Sequence, residues 1–146
     1  MGRIVVAYEE KKWRRVGEEA ERAIRRSLFL LKKKKCGVEL YLVSNQTMRK
    51  LNRAFRKKNA PTNVLSFGAK TDFPRPDIAG SGIFLGEIYL APDVITERGE
   101  SLLRLALHGL LHLAGYTHTR ARDRITMERV EQRLWKRLFP RKPFIS

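Results

Sequence analysis

The sequence predicts a single α/β (α+β) domain of four strands and about five helices, built around one buried helix. Three observations point there. Short runs rich in β-branched and aromatic residues lie at 3–8, 38–43, 63–67 and 83–90. Two long stretches, 12–31 and 122–138, repeat apolar residues every three or four positions. A third stretch, Glu100 to Ala114, is apolar nearly all round, as suits a helix that is buried.

In chain order, the run RIVVAY opens the first strand. From Lys12 to Leu31, the residues Trp13, Val16, Ala20, Ile24, Leu28 and Leu31 form the apolar face of an amphipathic helix. Its polar face carries Arg14, Arg15, Arg22, Arg25 and Arg26; Glu18 and Glu21 stand four residues before Arg22 and Arg25, the spacing of intrahelical pairs. Lys32 to Lys35 close the helix, where cations suit the dipole. VELYLV at 38–43 is the second strand. Ser44 then caps a short helix expected to turn Met48, Leu51 and Phe55 inward. Pro61 bars that helix from continuing, and Asn63 to Phe67 is the third strand. Residues 69–82 contain Pro74, Pro76, Gly80 and Gly82 and read as a loop or flap. The fourth strand spans 83–90 and holds Gly86, a mark of close approach by a ligand or another backbone. Pro92 opens a short helix. After the apolar helix, the last one, from about Arg122 to Leu138, buries Met127, Val130, Leu134 and Leu138.

A chain of 146 residues fits one domain, 1–146, large enough for a real core. At 42% hydrophobic and 32% charged residues, it is globular and not disordered. No stretch suits a transmembrane helix, and MGRIVVAYEE is too short in its apolar part for a signal peptide, so the expected location is cytoplasmic. The single cysteine, Cys36, forms no internal disulfide, which agrees. It follows four lysines at a strand start and is a poor candidate nucleophile. Lys and Arg number 31 against 15 Asp and Glu, a net charge of +16. Surface ion-pair networks would raise acids and bases together, and the acids do not follow. The excess therefore implies a polyanionic partner, nucleic acid in the first place. No sequence-reading RNA motif accompanies it, so contact should be with backbone and shape. Nothing indicates an oligomer, and a monomer is favoured.

All three histidines fall in eleven residues, His108 to His118, which read HGLLHLAGYTH. His108 and His112 are four apart, one turn apart on one helix face. Gly115 stops the helix and lets His118 return toward them. Two imidazoles from a helix and one from the following turn make a three-ligand site for one divalent metal ion, most readily Zn2+, with a position left open. A structural zinc normally has four ligands, and no cysteine or acid is spaced to supply a fourth. Gly109 stands where a zinc protease has its general-base Glu, which argues against peptide hydrolysis by that route.

The stretch HGLLHLAGYTH resembles the H-G-x-L-H-L-x-G-Y-D-H signature of the YbeY family, bacterial endoribonucleases of ribosomal RNA maturation. LNRAFRKKNAPTNVLSF at 51–67 is similar to that family's second motif, and GEIYL at 86–90 to its third. The resemblance implies a mostly parallel four-stranded sheet and a zinc held by His108, His112 and His118. It also implies a metal-dependent single-strand endoribonuclease in ribosomal RNA maturation and ribosome quality control, with RNA and the ribosome as partners. The family's required arginine falls on Arg56. Thr117 replaces the family's Asp before the last histidine and would orient a ligand only weakly.

These parts fit one chemistry. Arg56 offers a permanently charged fork for a phosphate. Asn63 and Ser66 are candidate substrate contacts, with turn and strand roles as the alternative. Glu87 is a candidate general base, or else a strand carboxylate paired with an arginine. Two other functions compete: a metal-dependent hydrolase of a non-RNA substrate, and a non-catalytic ribosome-associated factor.

Overall fold

The computed structural model describes residues 2–69, 83–116 and 120–140. The expected loop at 70–82, with its prolines and glycines, lies outside them, as do Thr117 and His118. Four strands, β1 (Ile4–Tyr8), β2 (Gly37–Leu42), β3 (Val64–Gly68) and β4 (Phe84–Leu90), form one sheet in the order β1-β2-β4-β3. β1 pairs with β2 and β2 with β4 in parallel, and β3 runs antiparallel to β4 at the edge. Five helices join them: α1 (Arg14–Leu30), α2 (Asn45–Arg56), α3 (Pro92–Glu97), α4 (Leu102–Leu113) and α5 (Ala121–Leu138). The expected mixed α+β architecture and mostly parallel sheet are both present. No helix among the described residues is long and apolar enough to cross a membrane.

One face of the sheet is fully covered and the other partly, so the central strands are buried on alternate residues and half-buried on the others. Val38, Leu40, Leu42, Ile88 and Leu90 form one core with α1, α4 and α5. On the other face, Leu65 packs with Met48 of α2 and with Val43, Ala91 and Val94. α4 is the innermost helix, burying Ala106, Leu107, Gly109, Leu110 and Leu111. α5 covers it with Met127, Val130 and Leu134.

Three local expectations change. Phe55 does not turn inward: its ring is 64% exposed, and Asn52 is buried in its place. A position three before Phe55 and four after Met48 holds the inner stripe, which leaves Phe55 at its margin. Asn52 is half satisfied inside: its Nδ2 donates to the Ala60 carbonyl at 2.7 Å, fastening the loop that leads to β3, while its Oδ1 is buried with no partner among the described residues. Glu18 pairs with Arg14 rather than Arg22, whereas Glu21 pairs with Arg25 as the spacing requires. The Lys32 to Lys35 run falls past α1, with Lys32 left-handed at φ 61 and Lys33 N–H bonded to the Leu28 carbonyl. Backbone geometry, and not the dipole, closes that helix.

α2 is held at its start by a longer-range cap. Ser44 Oγ accepts from Thr47 N–H at 3.2 Å, and Glu9 accepts from Ser44 N–H at 2.7 Å and from the Thr47 hydroxyl at 2.8 Å. Partial burial alone would raise the Glu9 carboxyl, but these hydrogen bonds and the nearby Lys50 outweigh it and hold it below the usual carboxylate range. A depressed folded pKa contributes stability that is present above the unfolded value, about 4 to 4.5, and lost as pH falls through the folded one. Denaturant titrations across pH 3 to 7 should therefore show a shallower acid loss for Glu9→Gln than for the wild-type chain. Identical acid profiles would remove Glu9 from the cap.

Candidate active site

α4 brings two of the three histidines together. It starts at Ser101, whose hydroxyl accepts from Arg104 N–H at 3.2 Å, and ends where Gly115 takes φ 106. His108 and His112 lie on the one side of this helix that the core does not fill. Their Nε2 atoms are 3.2 Å apart and their rings meet edge to face at 4.8 Å. Two nitrogens held 2.0–2.1 Å from a tetrahedral zinc would be about 3.3 to 3.4 Å apart, so this spacing fits metal ligation. It also suits one N–H donating to the other nitrogen. Among the described residues, no three metal-binding side chains converge, and His118 is not one of them.

The partner of His108 on its other nitrogen fixes its tautomer in a form that either use allows. Nδ1 lies 3.1 Å from Glu131 Oε1, and the other oxygen of Glu131 accepts from Arg104 Nε at 2.9 Å. Burial raises the Glu131 carboxyl, yet the bonds from Arg104 and His108 prevail and keep it ionised below the usual range. A carboxylate can only accept, so the proton of a neutral His108 belongs on Nδ1 and the lone pair on Nε2. That is the carboxylate–histidine arrangement that prepares an imidazole to bind a metal. Arg104 is fixed in turn, its guanidinium 4.9 Å from the Trp135 ring. The donor chemistry therefore fits a divalent metal on His108 and His112.

A cleft of about 650 Å³ opens beside the histidines. Arg56, Asn63, Ser66, His108 and His112 all line it. The antiparallel strand β3 is what closes the distance, since it lies beside α4 and follows directly on the loop after α2. Arg56 is the last residue of α2, where Lys57 turns left-handed at φ 57, and its side chain is exposed. Asn63 is occupied structurally: its amide nitrogen donates to Glu100 at 3.0 Å and its oxygen accepts from Val64 N–H at 2.7 Å. Glu87 belongs elsewhere. Its neighbour Ile88 faces Gly109 of α4, so alternation places Glu87 on the opposite sheet face, where it accepts from the Tyr89 hydroxyl at 3.0 Å. Among the described residues it pairs with no arginine, and its sheet face removes it from the general-base role. That hydrogen bond adds to burial in pushing the Tyr89 hydroxyl up to about 12.

Three contributors escaped the sequence. Glu131 is one, although it completes the 127, 130, 131, 134 stripe of α5 and is the only charged residue there. Arg104 is the second. Gly109 is the third in this role: a Cβ there would lie 2.9 Å from Ser66 Oγ and 3.2 Å from an Ile88 methyl. Its absence lets α4 sit close on β3 and β4, and with it the histidines. Gly86 plays a related part, since a Cβ there would clash with the Phe67 carbonyl; the close approach is by backbone.

Gly109→Ala would gain about 1 kcal/mol of helix propensity. Overpacking costs roughly 1–3 kcal/mol. The variant should therefore be less stable by about 1 kcal/mol in urea unfolding, and adding Ser66→Ala should recover part of the loss. A more stable Gly109→Ala would show that α4 is not packed this tightly.

The family described as Endoribonuclease YbeY matches residues 5–139. The Endoribonuclease YbeY of Francisella tularensis subsp. novicida is 36% identical over 122 residues, which cover 75% of this chain and 72% of that protein. The Endoribonuclease YbeY of Ehrlichia canis is 32% identical over 117 residues, covering 75% and 71%. Among solved structures, the solution structure of TM1509 from Thermotoga maritima aligns with a TM-score of 0.59 at 26% identity, over 94% of this chain and 89% of that one.

Proposed function

This chain belongs to the YbeY endoribonuclease family, and we propose that it is a metal-dependent, single-strand endoribonuclease of the cytoplasm. Its substrate is ribosomal RNA, in maturation and in quality control of the ribosome. One observation carries the reading: two imidazoles with nitrogens 3.2 Å apart, one oriented by a half-buried carboxylate, face a cleft that an exposed arginine shares.

His108 and His112, with His118 as the third ligand, would hold the metal, zinc by preference. When bound, such a metal polarises a phosphoryl oxygen and makes a water acidic near neutral pH. The protein's own part is positioning. Glu131 keeps the His108 proton on Nδ1, as described above. Arg56 binds the phosphate through two parallel N–H groups and stabilises the charge that develops on it. Ser66 contacts the substrate from β3, while Asn63, held by Glu100 and Val64 N–H, shapes the wall beside it. The +16 charge draws the strand in and supplies most of its sequence-independent affinity.

The decisive experiment joins metal analysis to cleavage. The purified protein should contain about one zinc per chain, cleave single-stranded RNA, lose activity on chelation and regain it on adding metal. His112→Ala should lose the metal. Full cleavage by metal-free protein would overturn the reading.

Arg56→Ala should keep fold and metal but lose on the order of 10²-fold in cleavage rate. Arg56→Lys should recover only part, because an ammonium lacks the planar fork. Unchanged cleavage by Arg56→Ala would return this arginine to the general basic surface.

A further inference from the structure

His108 borders a second opening. It measures about 320 Å³, lies between α4 and α5, and is lined by His108, Arg124, Met127, Glu128 and Glu131. The first cleft lies between α4 and the β3–α2 side, so His108 stands between two openings. An enzyme that cuts inside a chain needs a groove open in two directions, because a closed pocket accepts only a chain end. We infer that a single RNA strand crosses α4 at His108, with one flank against Phe55 and Arg56 and the other against Arg124. This rests on the reading of the site as an RNA-cleaving centre.

Each flank offers a distinct chemistry. On the first, Phe55 also lines the cleft with 64% of its surface exposed. Phe67 braces its ring at 5.0 Å, and Tyr89 braces Phe67 edge-on at 5.7 Å. A ring supported on one side and open on the other is a stacking platform for an unpaired base. Among the described residues, the other exposed aromatics, Phe29, Phe139 and Tyr8, line neither opening. A base held in a duplex cannot reach such a platform, which ties Phe55 to a single strand.

On the second flank, Arg124 is exposed and forms no ion pair among the described residues. Other arginines of this region are engaged, Arg104 with Glu131 and Arg120 with Asp123 at 3.0 Å. Two carboxylates share the opening with Arg124. Glu131 is committed to Arg104 and His108. Glu128 is exposed, four residues after Arg124, and does not pair with it among the described interactions. It opposes a phosphate on this flank, so its removal should strengthen binding.

The test reads binding of fluorescent single-stranded oligoribonucleotides to the full chain, separately from cleavage. Both side chains are exposed, so Phe55→Ala and Arg124→Ala should fold normally. Phe55→Ala should weaken binding on the order of tenfold, and Phe55→Trp should restore it. Arg124→Ala should weaken binding and lower the salt slope by about 0.7, the share of one phosphate on a single strand. Glu128→Gln should tighten it. The oligonucleotide is then shortened from one end at a time. Shortening at one end should abolish the effect of Phe55→Ala alone, and shortening at the other that of Arg124→Ala alone. If both variants respond to the same end, or neither responds to length, the strand does not cross at His108. RNA that binds with this pattern but is not cut would overturn the nuclease reading and leave the groove standing. Failure to bind RNA at all would overturn both.

Discussion

The burial of α4 constrains everything else in this molecule. A helix whose residues are apolar nearly all round has to be enclosed by the sheet on one side and by α1 and α5 on the others. His108 and His112 are polar exceptions on that helix. They survive there because β3 and α5 leave a gap and because Glu131 meets the one nitrogen of His108 that turns toward α5. Replacing that carboxylate with an apolar residue would strand a part-buried imidazole and the Arg104 guanidinium together. Both side chains are more than a third exposed, so water offsets part of the cost, which stays below the roughly 1–3 kcal/mol of a fully buried unpaired group. The bond that orients the histidine is thus also one that makes its position on a core helix tolerable.

Gly109 adds the second half of the constraint. Helix interiors disfavour glycine, by about 1 kcal/mol relative to alanine, and nothing in the α4 backbone requires it. The contact with Ser66 and Ile88 does. Close approach of α4 to β3 carries Ser66, Asn63 and the preceding loop toward the histidines, and the Asn52 bond to Ala60 fixes the end of α2 relative to that loop. Arg56 arrives at the cleft through this sequence of contacts. Its own helix has a different reason for basic residues: Arg53 and Arg56 sit in the last turn, where they complement the dipole.

Much of this was legible in the sequence because it depends on period and on residue type. The four strands, the two amphipathic helices and the buried one follow from apolar spacing, and the pair His108 and His112 follows from a spacing of four. Pairings across the fold do not show in that way. Glu131 lies 23 residues from His108 and reads locally as one more charge on a helix rich in charges. Phe55 reads as an inward residue because a large aromatic on an amphipathic helix usually is one. Only the placement of Asn52 against Ala60 shows that the inner stripe passes it by. Glu87 has a residue type suited to catalysis and a strand position that cannot deliver it, and the deciding fact is which sheet face α4 occupies.

The charge balance needs the same discrimination by position. At physiological ionic strength, fields from exposed charges are screened beyond about 8 Å. The net +16 therefore governs approach and non-specific affinity, and only charges near the cleft act on a bound strand. Four basic residues, Arg53, Arg56, Lys57 and Lys58, crowd the end of α2. Of these, Arg56 alone lines the cleft with the histidines. The others can draw a polyanion toward that end of the helix without touching the reacting phosphate. Removing one of them should change how fast RNA arrives and how strongly salt opposes it, whereas the role proposed for Arg56 is at the phosphate held in the cleft. The two roles fall on adjacent residues of one helix turn, separated by which way each side chain leaves it.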